Sequence, residues 1–327
     1  MRENKTILQV SQLTKKFNDF TAVDSVDFSL IEGEIFGFLG PNGAGKTTTI
    51  NMLTGLARPT SGKIFYLGKD YTANIKQAQP LLGIVPDESN LYEELDGFEN
   101  LCFCAALYDI PKSEREKRAQ NLLEQFGLAD AGKKHFKVYS KGMKRKLTVA
   151  AGIIHHPEIL FLDEPTTGID VASARQIREL IHQLNSDGTT IFMTTHYIEE
   201  AERLCHRIAF IVSGKIVCSG SVPELMQQVQ QDHILQFSFA GSIDVLKITR
   251  DFEQQFAGCA LSLLNGNMLR VQSQQPTPLM PLMQFFDQRR MNVLEAKIIN
   301  PSLEEVFVKL TGVEPTEMKK DEERRKK

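Results

Sequence analysis

Apolar and polar residues alternate over two stretches near the start of the chain, Ile7–Val10 and Ala22–Leu30. An alternation with a period of two predicts half-buried strands. A continuous apolar run at Ile35–Leu39 predicts a fully buried strand, and Gly62–Leu67 predicts another after an intervening helix. We therefore expect the first seventy or so residues to form several short strands.

Further along the chain the apolar spacing changes twice. Between about residues 92 and 156, apolar residues recur at helical spacing, which predicts a helical insert. Three apolar runs then alternate with helical segments, at Ile159–Leu162, Thr190–Met193 and Ile208–Val212. Alternation of this kind predicts an α/β fold with a mainly parallel sheet covered by helices.

A different order of elements begins at about residue 221. It runs strand, helix, strand, an Asn265-Gly266 turn, strand, helix and strand, which is the order of a ferredoxin-like α+β fold. Ser302 and Glu305 then predict a capping box for a closing helix. The sequence thus predicts a large α/β domain over 1–220, a small domain over 221–312 and a charged, disordered tail over 313–327.

Composition narrows the class of protein. The chain has 327 residues, of which 42% are hydrophobic, and a formal net charge of -3, which indicates a globular protein and argues against a nucleic-acid binder. The five cysteines are odd in number and form no Cys-x-x-Cys pair, so we expect neither a disulfide framework nor a zinc site, as in a reducing cytoplasm. No run of about 18 apolar residues is present to span a bilayer.

A glycine-rich loop follows the run Ile35–Leu39 and leads into a helix. It matches Gly-x-x-x-x-Gly-Lys-Thr, and its residues are Gly40, Pro41, Asn42, Gly43, Ala44, Gly45, Lys46 and Thr47, followed by Thr48. Such a loop points backbone N–H groups at an anion, Lys46 reaches the outer phosphates and the Thr47 hydroxyl can hold Mg²⁺. The motif predicts binding of a nucleoside triphosphate.

Two acids, Asp163 and Glu164, end the apolar run Ile159–Leu162. The carboxyl end of a buried parallel strand lies at the edge of the sheet where the phosphate loop is expected. We therefore expect Asp163 in the Mg²⁺ shell and Glu164 as the general base that polarises the attacking water.

Two further segments contain candidate phosphate contacts. Ser140 is a good N-cap for a helix, and Gly142 leaves room for an anion at the first-turn N–H groups. His196 follows the predicted strand Thr190–Met193 after two threonines. It is therefore expected at the same edge of the sheet, where an imidazole can hydrogen-bond a γ-phosphate.

Together these motifs, in this order, resemble the ATP-binding subunits of ABC (ATP-binding cassette) transporters over residues 5–220. The resemblance implies that Ser140–Met143 is the signature that contacts the γ-phosphate held by a partner subunit. It implies that Asp170 lies in the loop that crosses the dimer interface, that His196 is the switch histidine and that Phe17 stacks on adenine. Phe20 lies close to Phe17 in the sequence.

Two positions depart from the family pattern. Asp87 follows Gly83–Pro86, where the family has a glutamine linked to the metal, and we predict that Asp87 keeps this role as a Mg²⁺ ligand. Lys141 replaces the second glycine of the signature and adds a cation near the phosphates of the partner. We expect Ser140 and Gly142 to preserve that contact.

The resemblance implies a cytoplasmic ATPase that uses ATP and Mg²⁺ and lies on the inner face of the membrane. It would dimerise with itself or a paralogous ATPase and power a separate integral membrane permease. Residues 221–312 resemble the accessory region of subunits that serve exporters of drugs, antibiotics or sodium, so we expect export of drugs, antibiotics, ions or lipids.

Two other classes of nucleotide-binding protein have features that this sequence lacks. A soluble ABC ATPase acting on nucleic acid or the ribosome usually has two cassettes or a long coiled-coil insert, whereas this chain has one cassette and a short insert. A GTPase switch would have an Asn-Lys-x-Asp motif, which the sequence lacks.

Overall fold

The computed structural model describes residues 5–229, 233–241, 243–299 and 302–313. These residues form two compact units, which divide between Val222 and Pro223, and the second unit extends to Lys309. Beyond Val313, the predicted charged tail lies outside the described residues.

The first unit contains two sheets. Its strands are β1 (Thr6–Phe17), β2 (Phe20–Ile31), β3 (Ile35–Leu39), β4 (Ser61–Tyr66), β5 (Lys69–Asp70), β6 (Leu82–Val85), β7 (Ile159–Asp163), β8 (Thr190–Thr195), β9 (Arg207–Val212) and β10 (Lys215–Ser221). One sheet has the order β2-β1-β4-β5 and is antiparallel. β1 and β2 have 12 residues each, because pairing between them extends the short strands that the alternation predicts.

The other sheet contains the strands that precede the candidate phosphate contacts. Its order is β10-β9-β3-β8-β7-β6, and all pairs are parallel except β9 with β10. Every residue of β3, β7 and β8 is buried, as expected for parallel strands covered on both faces. The mainly parallel core is therefore confirmed.

Helices connect these strands, and several begin at a capping side chain. They are α1 (Lys46–Leu53), α2 (Gly97–Ala106), α3 (Lys112–Gln125), α4 (Lys141–Ile153), α5 (Val171–Ser186) and α6 (Ile198–Leu204), whereas α7 (Val222–Val229) follows β10 and begins the second unit. The Ser140 hydroxyl accepts a hydrogen bond from the Met143 N–H at 3.2 Å, so Ser140 is the N-cap of α4. The region from α2 to α4 is the predicted helical insert, and its helices pack on one another.

The second unit has the predicted order of elements. Its strands and helices are β11 (His233–Phe239), α8 (Val245–Gln255), β12 (Cys259–Asn265), β13 (Met268–Ser273), α9 (Leu279–Gln288) and β14 (Val293–Ile299). The sheet order is β12-β13-β11-β14 with all neighbours antiparallel, which is a ferredoxin-like arrangement. Its core is rich in phenylalanine, including Phe237, Phe252 and Phe285.

A last helix, α10 (Leu303–Thr311), begins with the predicted capping box. The Glu305 N–H donates to the Ser302 hydroxyl at 3.2 Å, and the Ser302 N–H donates to a Glu305 carboxylate oxygen at 3.3 Å. Within the ranges that the structure describes, no helix has both the length and the apolar character needed to cross a membrane.

Candidate active site

The predicted nucleotide contacts meet at one edge of the parallel sheet. Leu39, the last residue of β3, is opposite Thr195 of β8, and Asp163 of β7 is opposite Thr194. The loop that starts at Gly40, the residue Glu164 and the residue His196 therefore leave the sheet side by side. Parallel strands place their carboxyl ends together, and ligands bind at that edge.

The glycines of the phosphate loop are required for different reasons. A Cβ on Gly40 would lie 2.1 Å from the Ile211 carbonyl oxygen of β9, so any side chain there would push the loop off the sheet. Gly45 caps α1 with a φ of 106°, and Gly43 has a φ of 77°. Both values lie in the left-handed region, where a residue with a side chain is strained.

The Lys46 ammonium lies inside the curl of this loop. It donates to the carbonyls of Gly40 at 2.7 Å and Pro41 at 3.2 Å, and it is 3.2 Å from a carboxylate oxygen of Glu164. Both side chains of the ion pair are buried. Lys46 and Glu164, which are 118 positions apart in the sequence, thus form one buried ion pair.

Glu164 has three side-chain partners and a strained backbone. Besides Lys46, its carboxylate contacts His196 Nδ1 at 2.7 Å and accepts from the Thr167 hydroxyl at 3.1 Å. Its φ is 48°, and such strain is concentrated at functional sites. Burial by itself raises the pKa of Glu164, but the hydrogen bond with His196 and the charge of Lys46 outweigh burial and lower the pKa to about 2.

His196 has one nitrogen that is suited to a ligand. Its Nδ1 contacts Glu164, whereas its Nε2 is buried without a hydrogen-bond partner among the described residues. A buried polar atom without a partner is costly. When both ring nitrogens carry a proton, Nε2 can donate to a phosphate oxygen, as the resemblance implies for a switch histidine.

The predicted magnesium ligands are oxygen donors, which Mg²⁺ prefers. Asp163 is buried at the end of β7 and accepts from the Thr194 hydroxyl, while Thr47 and Asp87 are exposed. In the described ranges, no group of three or more His, Cys, Asp or Glu side chains could hold a metal by itself. Because Mg²⁺ commonly binds through one or two carboxylates plus substrate phosphates, these residues fit an ion that is shared with a nucleotide.

The predicted signature packs against the first turn of α5 within one subunit. A Cβ on Gly142 would lie 2.3 Å from the Ser173 hydroxyl of α5. Ser173 donates from its backbone N–H and its hydroxyl to the carboxylate of Asp170, at 2.9 and 2.6 Å. The sequence suggested that Gly142 leaves room for an anion, and the structure adds that Gly142 also leaves room for the residue that holds Asp170.

Comparisons with known proteins agree with this geometry. Residues 23–167 match the sequence profile of the family described as ABC transporter. The linearmycin resistance ATP-binding protein LnrL of Bacillus subtilis is 36% identical over 320 residues, which cover 94% of this chain and 98% of LnrL. The chain belongs to the ABC transporter family. It is an ATP-binding subunit with the ABC ATPase fold, and it is an ATPase.

Two more similarities bear on this ABC subunit. The Nod factor export ATP-binding protein I of Cupriavidus metallidurans is 35% identical, with 94% of this chain and 98% of that protein covered. A solved structure described as a dimeric post-hydrolysis state of an ATP-binding cassette, bound to ADP and Pi, is 25% identical. Its TM-score is 0.61, and the match covers 66% of this chain and 99% of that one.

Two buried charged residues near the ABC site were missed by the sequence reasoning. Glu200 of α6 accepts hydrogen bonds from Thr166 at 2.6 Å and Thr195 at 2.7 Å, and so joins the loop that follows β7 to the end of β8. Arg145 of α4 bonds backbone carbonyls around the site. A charged residue at a core-facing helix position is the signal that could have found Arg145, since Gly142 and Thr148, three positions away on either side, are also buried.

Phe17 and Phe20 face each other at the tip of the β1–β2 hairpin of the ABC subunit. Phe17 is 50% exposed and Phe20 is 64% exposed, so neither ring is buried in the core. The Lys15 ammonium lies 4.8 Å from the centre of the Phe17 ring. The fold therefore leaves both rings available for the stacking role that the resemblance gives to Phe17.

Phe17→Ala is expected to raise the dissociation constant for ATP about tenfold, because stacking on a base contributes about 1–3 kcal/mol. Phe20→Ala is the matched control, since it removes the same ring from the opposite strand, and we expect less than a twofold change. Titration with a fluorescent ATP analogue and with ATP measures both. A larger effect for Phe20→Ala would transfer the stacking role to Phe20.

Proposed function

We propose that this chain is the ATPase subunit of an exporter, in which two ATPase subunits close head to tail around two ATP molecules. The meeting of Lys46, Glu164 and His196 at one edge of the sheet supports this proposal most directly. A cation for the phosphates, a base for water and an imidazole for the γ-phosphate are groups that suit phosphoryl transfer to water.

The roles of the site residues in this proposal follow the family motifs. The loop from Gly40 to Thr48 binds the triphosphate, with Lys46 on its outer phosphates. Glu164 is the general base that polarises the attacking water, and its low pKa keeps it ionised. His196 Nε2 binds the γ-phosphate, and Phe17 stacks on adenine.

The second face of each nucleotide is closed by the other subunit. Ser140 and Gly142 lie at the N-terminus of α4, where N–H groups and the helix dipole favour an anion. Lys141 is exposed in the first turn and adds a positive charge there. Asp170, held by Ser173, completes the contact between the subunits.

Asp87, Asp163 and Thr47 would hold Mg²⁺ together with the nucleotide, and the ion would neutralise charge on the phosphates. Asp87 follows β6, and its backbone carbonyl accepts a hydrogen bond from Arg145 at 3.1 Å. We assign to Asp87 the additional role of linking nucleotide state to the membrane partner.

The names of similar proteins support a role in export. LnrL is named for linearmycin resistance, and a further relative is named for Nod factor export. Both similarities span nearly the whole chain, so they include the predicted accessory domain over 221–312. We therefore propose that the subunit lies on the cytoplasmic face of a cell membrane, bound to a separate permease that exports drugs, antibiotics, ions or lipids.

Purification of the tagged chain from detergent-solubilised membranes of its own cells tests this proposal. We expect a polytopic membrane protein in near-stoichiometric amount, and we expect the pair, reconstituted in liposomes, to hydrolyse ATP and move an amphipathic antibiotic such as daunorubicin. The matched control is the same pair with Glu164→Gln. Recovery with ribosomes or nucleic acid, and without an integral membrane subunit, would contradict the transporter assignment.

A further inference from the structure

Arg145 is a buried arginine whose guanidinium bonds only backbone carbonyls in the contacts described. It is 6% exposed. Its Nε donates to the Pro165 carbonyl at 2.9 Å, and Nη2 donates to the Asp163 carbonyl at 2.5 Å. Its Nη1 donates to the carbonyls of Pro86 and of Asp87, the latter at 3.1 Å.

These four carbonyls belong to two loops that carry proposed catalytic groups. Asp163 and Pro165 flank Glu164, so two of the bonds hold the backbone on either side of the proposed general base. Pro86 and Asp87 form the loop after β6, which carries the third proposed metal ligand. A single side chain thus fixes the separation of the two loops.

The helix that carries Arg145 also carries the signature. Arg145 lies five residues after Ser140, the N-cap of α4, and three residues after Gly142, which packs on Ser173. A shift or rotation of α4 would move the guanidinium and, through it, both loops. The geometry is fixed, because four of the five N–H donors of the rigid guanidinium plane each bond a different carbonyl.

We propose that Arg145 is a positioning residue that couples helix α4, and hence the engagement of the signature with the partner subunit, to the alignment of Glu164 and Asp87. The inference rests on the proposed function. When the signature binds the nucleotide of the partner subunit, Arg145 would transmit the movement of α4 to the loop of Glu164 in its own subunit. Lysine cannot replace arginine here, since one ammonium on a flexible stem cannot bridge two loops in a fixed plane.

Arg145→Lys tests the inference in the full chain. We expect the dissociation constant for ATP and KM to stay within about twofold and kcat to fall about ten- to a hundredfold, because the phosphate loop is untouched and the catalytic loops lose alignment. The concentration of Mg²⁺ needed for half-maximal hydrolysis should rise about fivefold or more, because the loop of Asp87 is released. If Arg145 only stabilised the fold, the folded variant would keep the kcat, the KM and the Mg²⁺ dependence of the wild type.

Arg118→Lys is the matched control. Arg118 of α3 also bonds a carbonyl, that of Ile154 at 3.0 Å, together with the carboxylate of Glu114 at 2.8 Å. These contacts lie within the helical insert and do not reach either loop. We expect unchanged kcat and Mg²⁺ dependence.

The outcomes separate this inference from the proposed function. ATP-dependent dimerisation of Glu164→Gln alone tests the function, whereas a kcat of Arg145→Lys within twofold of wild type overturns only the coupling role. Parallel loss of ATP binding and kcat also overturns it. Should Arg145→Lys not fold, Arg145→Gln replaces it, and failure of both to fold would make Arg145 a structural residue and the inference wrong.

Discussion

Glu164→Gln is expected to reduce ATP hydrolysis by about a hundredfold to ten-thousandfold, which is the range that a general base contributes. Glutamine keeps the size of the side chain but cannot accept the proton of the attacking water. The phosphate loop and Lys46 are unchanged, so ATP still binds. Because hydrolysis no longer removes the γ-phosphate, dimers closed around ATP should accumulate.

Steady-state phosphate release and size-exclusion chromatography with light scattering measure both effects. Glu199→Gln is the matched control, since it removes one carboxylate from α6, beside the site, that pairs only with Arg203 among the described contacts. It should hydrolyse ATP at the wild-type rate. Glu164→Gln that binds ATP and stays monomeric, even beside the membrane subunit, would contradict the head-to-tail mechanism.

Lys46→Met is expected to weaken ATP binding by about a hundredfold or more, since it removes charge-assisted hydrogen bonds to the phosphates worth about 1.5–3 kcal/mol each. It also removes the cation 3.2 Å from Glu164. The pKa of Glu164 should therefore rise from its present value of about 2. Isothermal titration with ATP measures the first effect, and NMR of labelled glutamate carboxyl carbons measures the second.

The lowered pKa of Glu164 makes the folded protein more stable at neutral than at acidic pH. The folded pKa of Glu164 lies near 2 and its ordinary value is 4.5, so its stabilising contribution is complete above pH 4.5 and is lost as the pH falls towards 2. The destabilisation caused by Lys46→Met, measured as the decrease in the free energy of unfolding, should therefore become smaller as the pH falls through this range. Lys215→Met, which removes an exposed ion pair with Asp24, is the control and should show no such window and no loss of ATP binding. Wild-type ATP affinity in Lys46→Met would contradict the role of Lys46.

The agreement between sequence and structure is closest where the signal is local. The order predicted for the strands and helices of the second unit is the order in the structure, since alternation, the Asn265-Gly266 turn and the helical runs are each decided within about ten residues. The caps at Ser140 and Ser302 were predicted for the same reason, because a cap bonds a residue only three positions away.

The contacts inside the site could not be predicted in this way. The role of Arg145 depends on carbonyls from two loops, and a backbone carbonyl leaves no mark in the amino-acid sequence. The packing of Gly142 on Ser173 depends on where α4 and α5 meet. The sequence suggests that Gly142 leaves room for an anion, but the neighbouring Ser173 is visible only in the fold.

The sequence by itself determined the classes of element, their order and the chemistry available at the sheet edge, because strand periodicity, glycine turns and motif spacing are local properties. The tertiary structure alone decided that Lys46 pairs with Glu164, that His196 keeps one buried nitrogen without a partner among the described residues, and that Arg145 joins two loops. These are contacts between residues far apart in the chain, and only the packing of strands and helices brings such residues within bonding distance.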